Sequence, residues 1–263
     1  MQVPRIITLL SDFGSRDAYV GIMKGVMLGI CPAAHLVDLS HQVPPQAVTI
    51  GALLLRSAIR YFPIGSVHLA VVDPGVGSER NAIAVIGERA ILVGPDNGLL
   101  VPAAMMIGRY SARRLTCTEL FVQPVSATFH GRDVFAPVAA HLAAGAAPET
   151  LGPELPELQP LALPAPRVER SAVCGEVIYV DHFGNLITNI DVTALRAFRP
   201  HTVSVSIAET MISHLVDSYA AAAPASPLAL IGSWGLLEVA VRDGNAAAAL
   251  RAGIATRVTV TGE

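Results

Sequence analysis

The sequence predicts an N-terminal α/β domain with a largely parallel sheet, followed by a smaller all-β domain. The first half of the chain alternates apolar, strand-like runs with longer helix-like segments, which is typical of a parallel sheet. Six prolines lie within the nineteen residues 148–166, a density that indicates a domain boundary or an extended connector. The segments beyond it are short, β-branched and separated by turn residues, as expected of an all-β domain.

Each element follows from a local signal. Short apolar runs that end at turn residues predict strands, and longer periodic segments that open near Asp or Pro and close at Pro or Gly predict helices. The Pro45 ring suits the first turn of a helix. We expect strands over 6–10, 35–39, 66–72, 82–86 and 90–94, and helices over 17–30, 45–61 and 132–144.

The proline-rich stretch divides the chain into two predicted domains, residues 1–165 and 166–263. No regular structure is expected within the stretch itself, because proline removes a backbone donor and fixes φ. In the second domain we expect strands over 171–181, 185–190, 202–207, 228–233, 236–241 and 257–261.

Composition excludes several classes of protein. Hydrophobic residues make up 52% of the 263 residues and charged residues 15%, which excludes a disordered chain. Eighteen basic and 21 acidic residues give a net charge of -3, without the basic surface that nucleic acid or an anionic membrane requires. The uncharged stretch 218–237 contains Pro224 and Pro227, so we expect no membrane-spanning helix. A small-molecule partner is expected.

The cysteines and the N-terminus indicate the compartment. Cys31, Cys117 and Cys174 are odd in number and far apart, which fits neither a disulfide framework nor zinc spacing. The apolar N-terminal segment is too short for a signal peptide. A cytoplasmic protein is expected. The acids and histidines lack H-E-x-x-H or clustered ligand spacing, so no metal site is expected.

Three acids directly follow predicted strands of the first domain: Asp12, Asp73 and Asp96. Ligands of open α/β sheets bind outside the carboxyl ends of the strands, so these acids are candidates for a binding site. Turn chemistry is the alternative, since Asp, Asn, Gly and Pro are what tight turns require. DPGVGSER has neither the Gly-Lys-Ser/Thr ending of a nucleotide-triphosphate loop nor a G-x-G-x-x-G pattern. The segment therefore predicts a site for neither a nucleotide triphosphate nor a dinucleotide.

Arg80 and His130 are the other candidates in this domain. Arg80 lies seven residues after Asp73, close enough for the loop to fold back and pair the two, although a solvated surface arginine is the alternative. His130 precedes a predicted helix, whose positive end disfavours protonation of the imidazole. A neutral imidazole there could accept a proton, whereas a capping or core histidine would have no chemical role.

Two groups are candidates in the second domain. Asp181, Phe183 and Asn185 surround a turn. A hairpin loop explains them most simply, but an aromatic face and an amide could also bind a purine. Ser233 lies beside the single tryptophan, Trp234, which could line a site or the edge of a core.

Five motifs together carry a resemblance that covers nearly the whole chain: SDFGSRDAYVGIMKG, VVDPGVGSER, GPDNGLL, TFHGRDVFAPVAAHLA and DHFGNLITNI. In this order, with GSWGLLEVAV near the C-terminus, they resemble the S-adenosyl-L-methionine (SAM) hydroxide adenosyltransferases, relatives of the fluorinase and chlorinase. The resemblance implies hydrolysis of SAM to adenosine and methionine without a cofactor. It also implies a barrel-like second domain and a homotrimer with sites between the N-domain of one subunit and the C-domain of the next.

The resemblance also assigns roles to residues. Asp73, Arg80 and His130 match the family's Asp, Arg, His set that activity requires. The implied substrate contacts are Asp12 at the ribose, Phe183 and Asn185 at the adenine, Asp181 and Ser233 at the methionine ammonium and carboxylate, and Glu238 as a further member of the pocket.

Two departures bear on the chemistry. Gly131 stands where the halogenating relatives have a serine at the halide pocket, and those relatives also differ at DPGVGSER, so water is the expected nucleophile. Trp234 stands where the fluorinase has an arginine that helps bind the amino acid, so methionine recognition is expected to differ. The alternatives are a SAM or adenosine sensor without chemistry and a halide-using adenosyltransferase.

Overall fold

The computed structural model describes residues 5–196, 198 and 202–262. Its contacts divide the chain into two compact units, Met1–Ala162 and Leu163–Glu263. The first four residues, where the short N-terminal apolar segment begins, lie outside the described residues. Among the described residues, no helix is long and apolar enough to cross a membrane.

The first unit is built on a seven-stranded mixed sheet. The order across the sheet is β2-β1-β3-β5-β4-β6-β7. The first four strands in this order are parallel to one another and the last three pair antiparallel. The strands are β1 Ile6–Ser11, β2 His35–Ser40, β3 Ser66–Val71, β4 Ala82–Gly87, β5 Ala90–Pro95, β6 Tyr110–Arg114 and β7 Glu154–Leu155.

Helices cover both faces of this sheet, which is why its central strands β1 and β3 are buried along almost their whole length. The helices are α1 Tyr19–Ile30, α2 Val48–Ile59, α3 Val101–Ala104 and α4 Ala136–Ala143. Apolar side chains of α1 and α4 form a core with one face, and those of α2 and α3 form a core with the other. Every residue of β3 is buried as a result.

Three expectations for this unit were wrong in detail. Pro45 lies outside α2, because Gln46 adopts φ 65° and the helix begins only at Val48. A π-helical turn over Gly131–Phe135 precedes α4 where a continuous α-helix was expected. The proline-rich stretch contains a 3₁₀ turn, Pro148–Leu151, and the short strand β7.

The second unit is an antiparallel, nearly closed barrel-like sheet, which confirms the predicted all-β domain. Its order is β12-β11-β15-β9-β10-β14-β13, with β8 paired to β9. A bridge from Leu215 to Ala229 joins the segment after β12 to β13. The elements are β8 Arg167–Val168, β9 Ala172–Val180, β10 Leu186–Asp191, β11 Ser204–Ile207, β12 Thr210–Ile212, β13 Pro227–Ile231, β14 Leu236–Val241, α5 Ala246–Leu250 and β15 Arg257–Thr261.

Candidate active site

The three predicted acids follow β1, β3 and β5, whose carboxyl ends share one edge of the sheet because these strands are parallel. Asp96 serves the fold: its buried carboxylate accepts hydrogen bonds from the backbone N–H of Gln159 at 2.9 Å and from Nδ2 of Asn81 at 3.3 Å. Turn and loop chemistry therefore explains Asp96, and Asp12 and Asp73 remain as candidates.

Arg80 joins Asp73 to His130. The loop folds back as the sequence predicts, and the guanidinium contacts the Asp73 carboxylate through Nε at 3.0 Å and Nη2 at 2.5 Å. Nη2 also lies 2.8 Å from Nδ1 of His130. The Asp73 and Arg80 side chains are only 5% and 11% exposed, so water screens this pair weakly. Residues fifty positions apart thus meet in one hydrogen-bonded cluster.

The cluster fixes the protonation of the imidazole. A guanidinium has only donors, so Nδ1 of His130 accepts the hydrogen bond and the ring hydrogen lies on Nε2. Burial and the neighbouring Arg80 charge lower the pKa of His130, against the opposing effects of Asp73 and Asp133. The ring is therefore neutral at neutral pH. Among the described residues no hydrogen-bond partner reaches Nη1 of Arg80, which leaves its two N–H groups for a ligand.

Glycine shapes the loop that carries Arg80. Gly77 has φ +77°, and a Cβ there would lie 2.6 Å from the backbone oxygen of Ala127. The loop after β3 therefore rests directly on the segment that leads to His130. The Arg80 guanidinium also lies 5.2 Å from the centre of the Phe135 ring in the π-helical turn, which supports its orientation.

Asp12 lies in the loop after β1. Its Oδ2 accepts a hydrogen bond from the backbone N–H of Gln46 at 2.8 Å. That contact stabilises the left-handed backbone of Gln46, a conformation costly for a residue with a side chain. Oδ1 has no partner among the described residues and is the oxygen available to a ligand.

Aromatic side chains connect the Asp12 loop to the His130 segment. Phe13, Tyr19 and Phe129 pack with ring centroids 5.2 to 5.9 Å apart. A Cβ at Gly131 would lie 3.2 Å from both phenylalanine rings and 3.3 Å from Sδ of Met23. A serine at this position would therefore push against the aromatic cluster that supports Asp12.

The second unit contains a cavity of about 1080 Å³, slightly above the usual size range of ligand sites. All five candidate residues of this unit line it, as does Trp234. The lining candidates are Asp181, Phe183, Asn185, Ser233 and Glu238.

Asp181 organises the turn between β9 and β10, as the hairpin interpretation predicts. Its Oδ1 accepts the backbone N–H groups of Phe183 at 2.9 Å and Asn185 at 2.8 Å, and its Oδ2 accepts the Asn185 amide at 2.9 Å. These bonds hold the Phe183 ring 71% exposed, which leaves it available for stacking. The hairpin and ligand interpretations are therefore compatible.

Glu238 and Trp234 have partners that sequence reasoning missed. The Tyr219 hydroxyl donates to Oε1 of Glu238 at 2.6 Å. Burial and the charge of Asp181 raise the pKa of Glu238, although the Tyr219 bond opposes this. The Trp234 ring stacks on Tyr179 at 5.3 Å with a 16° angle between planes. No local motif in the uncharged stretch around Tyr219 marks that residue.

Both units of the chain resemble domains of one known protein family. Residues 7–152 match the profile of the SAM hydroxide adenosyltransferase N-terminal domain, and residues 175–259 match that of the C-terminal domain. These matches lie one in each structural unit and together span most of the chain.

Individual proteins similar to this chain point to the same family. The chain is 40% identical to an (R)-S-adenosyl-L-methionine hydrolase from Salinispora tropica over 97% of both proteins. It is 42% identical to one from Thermus thermophilus over 94% of this chain and 95% of the other. A fluorinase from Actinoplanes sp. is 31% identical over 72% of this chain and 73% of its own.

A solved structure has the same fold. An uncharacterized conserved protein from Thermotoga maritima superposes with a TM-score of 0.91 and 35% sequence identity. The match covers 97% of this chain and 99% of that one. With both family profiles matched in order, the chain belongs to the SAM hydroxide adenosyltransferase family.

Proposed function

We propose that the protein hydrolyses SAM to adenosine and L-methionine. The observation that carries this proposal is the meeting of Asp73, Arg80 and His130 in one shielded cluster with two guanidinium N–H groups unoccupied. Sequence identity supports the proposal further. The chain is 40 to 42% identical to the hydrolase relatives but only 31% identical to the fluorinase relative.

The main requirement of the reaction is to activate and position the nucleophilic water. Water oxygen bonds to C5' of SAM while the bond from C5' to sulfur breaks, and that electron pair stays on sulfur as the neutral thioether of methionine. The leaving group needs no proton, so general-acid catalysis is unnecessary. One water proton must be removed, and the oxygen must be held in line with the departing sulfur.

Each member of the cluster has a role in that step. The guanidinium of Arg80 stabilises the negative charge that develops on the water oxygen. His130 accepts or relays the proton, and Asp73 orients Arg80 and contacts the ribose. Nδ1 is the basic nitrogen of His130 and already accepts from Nη2 of Arg80, so a water bound at Nη1 donates to Nδ1 once that hydrogen bond opens.

The remaining candidates bind the substrate. Asp12 offers Oδ1 to the ribose hydroxyls, and Phe183 and Asn185 receive the adenine. Asp181 and Ser233 bind the methionine ammonium and carboxylate, with Glu238 as a further member of the pocket. Asp12→Asn retains an oxygen for Gln46 and is the cleaner test of the ribose contact, because Asp12→Ala also removes support from the loop. Unchanged affinity and rate in both variants would contradict this role.

Incubation of the purified protein with SAM, followed by chromatographic separation, tests the reaction. Adenosine plus methionine is the expected result. A halogenated nucleoside formed in the presence of halide would indicate the halide-using alternative, and unconsumed SAM would indicate a sensor. Arg80→Ala should abolish turnover and leave adenosine binding within about threefold of the wild type, because Arg80 acts on the nucleophile.

The assembly and its surroundings belong to the same proposal. We expect a homotrimer in the cytoplasm, with each site formed by the N-terminal unit of one subunit and the C-terminal unit of the next. Neither a metal nor a cofactor takes part, so hydrolysis should proceed at an unchanged rate after dialysis against a chelator.

A further inference from the structure

A second hydrogen-bonded chain lies at the same sheet edge, outside the Asp73 cluster. Nζ of Lys24 in α1 lies 2.6 Å from Oδ2 of Asp38 in β2. Oδ1 of Asp38 lies 3.0 Å from Nε2 of His41. Nδ1 of His41 lies 2.7 Å from Oγ of Ser11, the last residue of β1. Four side chains thus connect the outside of α1 to a strand end.

The chemistry of the groups fixes the direction of these hydrogen bonds. Burial raises the pKa of Asp38, but the hydrogen bonds from Lys24 and His41 outweigh it and the pKa is lowered overall. An ionised carboxylate only accepts, so Nε2 of His41 donates to it. With its hydrogen on Nε2, the ring has a lone pair on Nδ1, which accepts the hydroxyl hydrogen of Ser11.

The inner end of this chain flanks Asp12. Ser11 is 1% exposed, and its Oγ also accepts the backbone N–H of Phe13 at 3.3 Å. The backbone N–H of Gly14 donates to the carbonyl oxygen of His41 at 2.8 Å. His41 therefore holds the Asp12 loop on both sides, once through Ser11 and once through Gly14.

The inner end of the chain is less exposed than its outer end. The side chain of Asp38 is 43% exposed and that of Lys24 is 31%, whereas that of His41 is 11%. An exposed ion pair adds little stability by itself. A fixed charge next to a largely shielded imidazole does set the orientation and tautomer of the ring. These contacts can therefore orient the loop that carries Asp12.

We propose that His41, oriented by Asp38 and Lys24, is a positioning residue that holds the Asp12 carboxylate in place for the ribose of the substrate. The inference rests on the proposed function, since it assumes that Asp12 binds the nucleoside. His41 contacts the loop through Ser11 and Gly14 and acts on substrate affinity through Asp12.

Two substitutions separate the two contacts of the ring. His41→Asn retains a polar atom near the position of Nδ1 and can still bond Ser11. His41→Gln retains one near the position of Nε2 and can bond only Asp38. Gln42→Ala is the matched control, because it removes the neighbouring bond to Ser15 at 3.1 Å and leaves the chain intact.

The variants are compared by adenosine calorimetry and steady-state SAM hydrolysis. Loss of one partly buried hydrogen bond predicts that His41→Gln raises both the adenosine Kd and the KM for SAM about tenfold. We expect kcat within about threefold in all variants. Both constants should rise less in His41→Asn, which keeps the Ser11 contact but loses the orienting Asp38 carboxylate, and all constants of Gln42→Ala should stay within about threefold of wild type. If His41 had only a structural role, its loss would instead lower the unfolding midpoint and would not raise KM selectively over kcat.

Equal adenosine affinity in wild type and His41→Gln would overturn the inference, and so would equal losses in the Asn and Gln variants. Adenosine binding is measured without turnover. A wild-type protein that binds adenosine but leaves SAM intact would therefore refute the proposed hydrolysis and still allow the His41 variants to be judged.

Discussion

Arg80 is the residue on which the proposed chemistry depends, because one guanidinium contacts both of the other members of the cluster. Two of its nitrogens hold Asp73, and one of these also bonds His130. This fork geometry leaves a whole NH₂ group for the nucleophile. A single ammonium cannot reproduce it, since lysine presents one point of charge.

Arg80→Lys should therefore lower kcat although the charge is retained. We expect a loss of about 100-fold in kcat, comparable to the removal of one preorganised donor at a reacting oxygen, with adenosine affinity within about threefold. Single-turnover hydrolysis and calorimetry measure the two quantities. A lysine variant with wild-type kcat would show that charge alone suffices and that the fork is not required.

His68 is a buried histidine outside the cluster, and it predicts a pH dependence of stability. Its Nδ1 bonds Oγ1 of Thr8 at 2.7 Å, and its Nε2 is buried without a partner among the described residues. Burial lowers the pKa of His68 to about 4 from 6.5. Between these values the unfolded chain binds more protons than the folded chain, so stability falls as the pH drops from 6.5 toward 4.

The expected loss from His68 is about 2 kcal/mol between pH 7 and pH 5. His68→Asn removes the titrating group and retains a polar atom near the position of Nδ1, which can bond Thr8. Urea unfolding of both proteins at the two pH values measures the difference. If wild type and variant lose the same free energy of unfolding over this interval, another group causes the acid sensitivity.

At the scale of elements, the loop between β3 and β4 places Arg80, and Gly77 is its most constrained position. Gly77→Ala adds a Cβ 2.6 Å from the backbone oxygen of Ala127 and forces a side chain into φ +77°. We expect a loss of activity of at least about tenfold, because displacement of this loop moves Arg80 relative to His130.

Gly145→Ala, in the segment after α4, is the matched control for Gly77→Ala. Gly145 has φ +101°, but nothing lies within 4 Å of its Cβ position, so the substitution strains the backbone without a collision. Both variants should lose roughly 1 kcal/mol or more of stability, and only Gly77→Ala should lose activity in the SAM assay. Equal activities would mean that the β3–β4 loop tolerates displacement.

The elements also show what local sequence can predict. Largely apolar runs such as β3 identify buried strands, and the acids after them identify the edge where a site forms. The start of α2 was misplaced, because the left-handed Gln46 depends on a hydrogen bond to Asp12, 34 residues away. Tyr219 was missed for the same reason, since only the folded sheet brings it to Glu238.

At the scale of the whole molecule, candidate residues lie in both structural units. Asp12, Asp73, Arg80 and His130 belong to the first, and the adenine and methionine candidates belong to the second. Each unit has its own hydrophobic core. The proposal that adjacent subunits share each site therefore leads to a test in which two inactive chains complement each other.

Arg80→Ala disables the first unit, and Phe183→Ala disables the second. The Phe183 ring is 71% exposed and is therefore available for stacking. In a head-to-tail trimer, mixed subunits form some interfaces with an intact first unit from one chain and an intact second unit from its neighbour. Co-expression of the two variants with different tags should restore about a quarter of wild-type activity, because random assembly makes one interface in about four intact. Sites contained within single chains would give no recovery. The doubly tagged hybrids, sized by light scattering, also establish whether three chains assemble.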